Sequence, residues 1–498
     1  MLGILLALLA VLTVRSRFND PDMWWHLKTG QIIWTTHTIP TTDLFSYTTN
    51  HHAWVPHEWL SQTLIYGAYR LGGYSGLMLW VCFFAAILLI AGYALCTLYS
   101  KNSKVGFLGA IMLWFCSTIG FSIRPQMIGY LLLVVELLLI HLGRTRNRRW
   151  FFCLPLLFAI WVNCHGSFFL GFCLLGLFLF CSFFHFRRGS LVSSRWDARY
   201  RRALAWSMAL SGAALFLNPV GIRQVLYPLN TMLAQPIVLS QVEEWKPLLF
   251  NDLRGLGFLA ILGCVLLLLV LRHSEIFLDE LLLLAVGAEL AINHQRMIFA
   301  FGILAAPVVS RLLSTLWDGY NADQDRPALN AGLIALSVLG MVWGFPNRQN
   351  LVQQVDAGNP VKAVEFIKTH PLPGRMLNEF NYGGYLIWAV PQYPVFVDSR
   401  NDVYEWAGVL DEFVKWATLQ SNPNTLLNQY GVDFCLLDRA SPMAHVLPLM
   451  QGWKTIYSDD RSVIFERVSP SNAPNLANHR ADKRSSMAIG TSIGYSLN

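Results

Sequence analysis

Charge is scarce in this sequence. Only 13% of its 498 residues are Asp, Glu, Lys or Arg, whereas 54% are apolar, which is about half the charged share of a soluble domain. No basic run is interleaved with aromatics on a polar face, so nucleic-acid binding is not expected. The net charge of +7 is better read through loop placement. CxxC pairs are absent too. Of nine cysteines, Cys82, Cys96, Cys116, Cys153, Cys173, Cys181 and Cys264 lie inside apolar runs, Cys164 ends one, and Cys435 stands alone in the C-terminal third. They read as small packing residues rather than a zinc site or a disulfide frame. No P-loop, GxSxG or HExxH occurs, which argues against a nucleotide-driven pump and the common hydrolases. No internal repeat is present.

What the chain does have is long hydrophobic runs, a mean hydropathy of +0.42 and 13% aromatics, a composition suited to membrane interfaces. Apolar runs at roughly 1–15, 74–99, 105–121, 127–143, 151–163, 167–186, 203–217, 255–271, 276–292, 297–313 and 328–345 predict about eleven helices, several shorter than a perpendicular span. The expected fold is therefore mainly α: a polytopic transmembrane helical bundle with a small C-terminal α/β domain. Met1–Val14 has no basic flank before it and reads as an uncleaved first helix, with a signal peptide as the alternative.

Lys and Arg sort the loops. KNSK (101–104), RTRNRR (144–149), RRGSLVSSRWDARYRR (187–202) and Arg272 fall on one side, expected to be cytoplasmic. Arg15 and Arg17 vote weakly against that scheme. The opposite, extracytoplasmic side receives 16–73, SIRPQ (122–126), NCHGS (163–167), NPVG with the loop to Arg254, NHQRM (293–297) and everything after about 345. The domain expectation is thus a membrane domain over 1–345 whose outer loop 16–73 carries interfacial helices. HEWLSQTLIYGAYRLGG is one of these, closed by its glycine pair. An extracytoplasmic α/β domain follows over 346–468, where strand-like and helix-like stretches alternate. A Ser/Asn/Ala-rich disordered tail is expected over 469–498.

Chemistry-bearing residues crowd the outer side. Asp20 and Asp22 flank Pro21 just after helix one. They either end that helix as solvated acids or, near low dielectric, serve as a base for an acceptor hydroxyl. Trp24 and Trp25 suit interfacial anchors or a sugar platform. His26, Lys28, Arg124, His165 and Arg296 could bind phosphate, Arg being suited to bidentate contact. His57 and Glu58 open the second interfacial helix as an acid–base pair or a cap. Asp398 and Arg400 follow a strand in VFVDSRNDVY, where they would contact an acceptor or brace the domain. Glu136, mid-helix in MIGYLLLVVELLLIHLG, is expected to hydrogen-bond within the bundle.

This constellation resembles the GT-C superfamily of membrane glycosyltransferases, which includes protein mannosyltransferases, aminoarabinose transferases and Rgt-like bacterial enzymes. More closely, DPDMWWHLKTG, PTTDLFSYT, HEWLSQ, RPQ, NCHG and VFVDSRNDVY are similar to an uncharacterised bacterial family with D-P-D-x-W-W-H strings. The resemblance implies an integral protein of the bacterial inner membrane. It also implies inverting transfer of a sugar from a polyprenyl-phosphate donor to a glycan, lipid or protein acceptor, with an essential acid after helix one, Asp20 or Asp22. A monophosphate held by arginines would need no cofactor. With a diphosphate donor, Asp20 and Asp22 would hold Mg²⁺ or Mn²⁺. Two other classes remain open: a transporter or flippase of lipid-linked sugar, and a non-catalytic assembly protein.

Overall fold

The computed structural model describes residues 1–15, 18–49, 51–234, 237, 243–317 and 326–468. The tail expected from 469 and the vote of Arg17 lie outside these residues. The chain divides into two compact units. One comprises Met1–Thr42 and Ala53–Gly358. The other comprises Asp43–His52 and the chain from Asn359.

The first unit is a polytopic helical bundle. Its helices are α1 (Leu2–Val14), α2 (Pro21–Thr36), α3 (Trp59–Ser100), α4 (Ser103–Ser117), α5 (Gln126–Thr145), α6 (Leu154–Cys164) and α7 (Phe168–Cys181). They continue with α8 (Ala198–Ala214), α9 (Ile222–Ala234), α10 (Leu253–Leu271), α11 (Leu278–Asn293), α12 (Ile298–Leu313), α13 (Pro327–Gly344) and α14 (Arg348–Gly358). Each of the eleven apolar runs carries a helix. Among the described residues, six helices, counting short 3₁₀ extensions, are long and apolar enough to cross a membrane.

The helix α12 is the centre of the bundle. Nearly all of its side chains are buried, and it packs against α3, α4 and α11. By contrast α13 is mostly exposed, with Ser337 and Gly344 its only buried residues, as an apolar helix at a lipid-facing edge would be. At one end, buried acids of α11 pair with basic residues: Arg144 donates to Asp279 at 2.8 Å, and the Arg311 fork grips Glu280. Glu136 is fully buried in α5 and, against expectation, has no hydrogen-bond partner among the described residues.

The glycine pair expected to close the interfacial helix breaks α3. Gly72 and Gly73 leave helical geometry, and Gly73 has φ +55°, a left-handed conformation that glycine adopts without steric cost. The residues from Trp59 to Leu71 thus form a separate helical arm before the long apolar span.

The second unit is α/β. Its sheet has four strands, Arg375–Asn378, Val432–Asp438, Ser462–Arg467 and Trp453–Ser458, in that spatial order. The first pair is parallel and the other two are antiparallel. The segment 43–52, drawn from the long loop after α2, belongs to this unit. The Val395 amide donates to Phe45 O at 2.9 Å, and the Thr48 hydroxyl donates to Phe396 O at 2.6 Å.

Candidate functional site

The site in the bundle begins with the start of α2. Asp20 is its N-cap. The side chain accepts the Asp22 amide at 3.0 Å, and Pro21 follows at the first helical position. That is the pairing expected of a helix start, because Pro lacks the amide that the first turn leaves unpaired. The cap uses only one carboxylate oxygen. The other accepts from Arg124 Nε at 2.6 Å, and Arg124 Nη1 lies 3.1 Å from Asp22.

Arg124 comes from the tight junction between α4 and α5. It also donates to Glu244 at 3.2 Å from Nη1. Burial opposes its charge, but Asp20, Asp22 and Glu244 outweigh that and raise its pKa well above the ordinary value. Arg296, from the junction before α12, approaches the same Glu244 oxygen at 3.7 Å and donates to Gln126 at 3.2 Å. Its guanidinium lies over the Trp245 ring, 4.6 Å from the centroid.

Beside this charged group lies a carboxylate ringed by imidazoles. Glu58 sits 3.6 Å from His57 Nε2, 3.5 Å from His165 Nε2 and 3.8 Å from His26 Nδ1. Hydrogen bonding fixes two tautomers. His57 Nδ1 faces the Val55 carbonyl at 3.3 Å, so it carries the proton and Nε2 offers a lone pair. His165 Nδ1 accepts the Ser167 amide at 3.1 Å, so its proton is on Nε2. Burial keeps these rings neutral. It lowers His57 to about 4 and His165 to about 3, and holds His26 well below its usual value. His26 reaches this place because Gly30, one turn on in α2, lets the helix lie against the start of α3. A Cβ at Gly30 would fall 2.2 Å from the Gln62 carbonyl oxygen. Gln62 then meets His26 at 3.2 Å.

The structure thus brings Asp20, Asp22, Arg124 and Arg296 into one cluster, and His26, His57, Glu58 and His165 into another. Lys28 instead bonds Gln31 at 3.1 Å, and burial lowers its pKa. Neither tryptophan is a platform or an interfacial anchor. Trp24 is fully buried, edge-on to Tyr74, and Trp25 is nearly so, tilted over His26 with its ring centroid 3.7 Å away. Packing inside the bundle accounts for the burial of both, and the Trp25 indole N–H also donates to Asp22 Oδ1 at 3.4 Å. Asp398 and Arg400 are likewise not on offer to an acceptor. In the α/β unit Arg400 is 2% exposed, forks onto Asp398 at 2.9 and 2.6 Å, and donates to Asp43 at 2.7 Å. They hold the 43–52 segment in place. Among the described residues, no three His, Cys, Asp or Glu side chains are arranged to hold a metal ion. The cation between Asp20 and Asp22 is Arg124 itself.

Sequence reasoning missed Glu244 and Gln126. Gln126 was visible within SIRPQ, but Glu244 in VEEWKP carries no spacing signal.

No family model and no curated protein matches the chain. Solved structures do. The apo oligosaccharyltransferase of Archaeoglobus fulgidus is 13% identical, with TM-score 0.54 over 96% of this chain and 75% of that one. ArnT from Cupriavidus metallidurans bound to undecaprenyl phosphate is 13% identical, with TM-score 0.52 over 95% and 98%. The mycobacterial arabinofuranosyltransferase AftD is 12% identical, with TM-score 0.53 over 95% of this chain and 41% of its own. At this level of identity the likeness is one of fold: the chain shares the polytopic helical fold of these structures.

Proposed function

We propose that this protein transfers a sugar from a polyprenyl-phosphate donor to an acceptor hydroxyl on a glycan, lipid or protein. The reaction occurs at the extracytoplasmic face of a bacterial inner membrane, with the C-terminal α/β unit on that side. The observation that carries this reading is the meeting of two arginines from separate helix junctions on one anionic oxygen beside Asp22. Paired guanidiniums suit a phosphate, and the fold shared with solved membrane glycosyltransferases supports the reaction class. The basic loops 101–104, 144–149 and 187–202 support the orientation.

Asp22 is the better base of the two acids. Asp20 spends one oxygen on the helix cap and the other on Arg124, whereas the Asp22 oxygens make longer contacts, to Arg124 Nη1 at 3.1 Å and from the Trp25 indole N–H at 3.4 Å, on a side chain 19% exposed against 8% for Asp20. In the transfer, Asp22 takes the acceptor proton as the hydroxyl oxygen bonds to the anomeric carbon. The carbon–oxygen bond to phosphate breaks on the opposite face, and its electron pair leaves with the phosphate. Arg124 and Arg296 stabilise that charge. The His57 lone pair and Glu58 flank the acceptor. No step is routed through a metal, because Arg124 occupies the place between the two aspartates.

The test is incorporation of labelled sugar from a polyprenyl-phosphate donor by purified protein. Wild type is expected to transfer, and folded Asp22→Asn to lose transfer. Full activity in folded Asp22→Asn would remove the base assignment. Movement of the lipid-linked sugar across proteoliposomes without transfer would instead make the protein a transporter.

A further inference from the structure

Glu244 does not behave like a residue of the cluster's frame. Its side chain is 39% exposed, the most open of the charged group. One of its oxygens lies 3.2 Å from Arg124 Nη1 and 3.7 Å from Arg296 Nη1. Both distances exceed the ~2.7–2.9 Å of a charge-assisted N–H···O bond. Two guanidiniums aimed at one loosely held oxygen make a site that fits its occupant poorly.

Charge makes the same point. Asp20, Asp22 and Glu244 carry three negative charges against two on Arg124 and Arg296, so the cluster already has an excess of one. A phosphate added to it would deepen that excess where solvent screens it weakly. With Glu244 removed, two carboxylates balance two guanidiniums, and Nη1 of each arginine loses the one oxygen they share.

The chain around Glu244 allows such a departure without a loop movement. The short turn Glu243–Trp245 is pinned by Trp245 under Arg296, by the Trp245 carbonyl against His294 Nδ1 at 2.8 Å, and by the Gln295 amide donating to Lys246 O at 2.9 Å. Only the Glu244 side chain need rotate to another staggered position.

We propose that Glu244 is an internal stand-in for the donor's phosphate group: its carboxylate occupies the Arg124–Arg296 anion site and must swing out before the donor binds. This rests on the phosphate reading of those arginines given above. The carboxylate keeps two half-buried guanidiniums bridged between turnovers and sets a threshold that a weakly charged lipid headgroup would not cross.

Binding of a polyprenyl monophosphate to the purified full-length protein in detergent micelles tests the idea. Size-exclusion profiles confirm that each variant is folded. Glu244→Gln should bind about tenfold more tightly than wild type, the gain expected when a site is freed from ~90% self-occupancy. Glu243→Gln removes a neighbouring charge whose carboxylate pairs with Lys246, and it should leave affinity unchanged. Equal tightening by both variants would mean a general field effect and would overturn the stand-in. Wild-type binding with no gain, or a loss, in Glu244→Gln would also overturn it while leaving the phosphate site intact. No binding by either protein would take away the phosphate site itself, and the stand-in with it.

Discussion

At the residue scale, the Asp-Pro-Asp string does two jobs that substitution can separate. Asp20 caps α2 and pairs with Arg124, while Asp22 pairs with Arg124, accepts the Trp25 indole N–H at 3.4 Å and is the more exposed of the two. Asn caps helices nearly as well as Asp. Asp20→Asn should therefore keep helix stability and lower sugar transfer through a misplaced Arg124. Asp20→Ala should in addition cost ~1 kcal/mol of stability. Asp22→Asn should lower turnover by ~10²-fold or more, the usual worth of a general base, with little change in melting temperature. Melting curves and transfer rates on the three variants check this. The neutral histidines add a pH dependence. Their folded pKa values lie below the unfolded value of 6.5, with His57 lowered to about 4 and His165 to about 3 by burial. The unfolded chain then binds more protons, so stability is full above pH 6.5 and is lost as pH falls from there towards 4. Thermal unfolding at pH 7.5 and pH 5 should show a lower melting temperature at pH 5. His57→Gln should reduce the difference, with His165 and His26 keeping the rest.

At the element scale, the contrast is between what repeats along the chain and what meets across it. Apolar runs announce helices because a bundle in lipid must bury or expose whole apolar faces. Every expected run is helical, and the break at Gly72–Gly73 was visible as a glycine pair. The cluster was less legible. Arg124 and Asp20 are 104 positions apart, and only loop sorting by charge hinted that their segments share a side. Glu244 gave no hint, because an acid in a polar loop looks like any solvated acid. Trp24 and Trp25 misled for the opposite reason. Tryptophan beside a membrane helix is ordinarily an anchor, and only tertiary packing shows that α2 turns both inward. That packing hinges on the bare backbone at Gly30. Gly30→Ala would drive a Cβ into the Gln62 carbonyl at 2.2 Å, whereas at Gly67 the added Cβ meets Trp34 at an ordinary 3.5 Å. Gly30→Ala should lower both melting temperature and transfer by displacing His26 and Gln62. Gly67→Ala should change neither by more than a small margin.

At the scale of the whole molecule, the division into two units cuts across chain order. The loop after α2 gives residues 43–52 to the α/β unit and then returns to the bundle. What fixes that segment is an ion cluster without solvent access. Asp43 accepts from Arg400 at 2.7 Å, from the Thr49 hydroxyl at 2.7 Å and from the Phe45 amide at 3.0 Å. Burial alone would raise its pKa, but Arg400 and these hydrogen bonds overcome that and bring it down to about 2. Against an ordinary 3.8, this contributes about 2 kcal/mol at neutral pH that is lost as pH falls from 3.8 towards 2. Removing one partner of a buried pair is worse than never having it, since the remaining charge stays desolvated. Arg400→Met would strand Asp43 and Asp398 together in the core. It should destabilise the α/β unit by ~3–5 kcal/mol, read as early proteolysis within 43–52 and the chain after 359. Asp43→Asn should cost less, because Asp398 still neutralises Arg400. Equal resistance of wild type and Arg400→Met to protease would mean that hydrophobic packing, not this cluster, ties the loop segment to its unit.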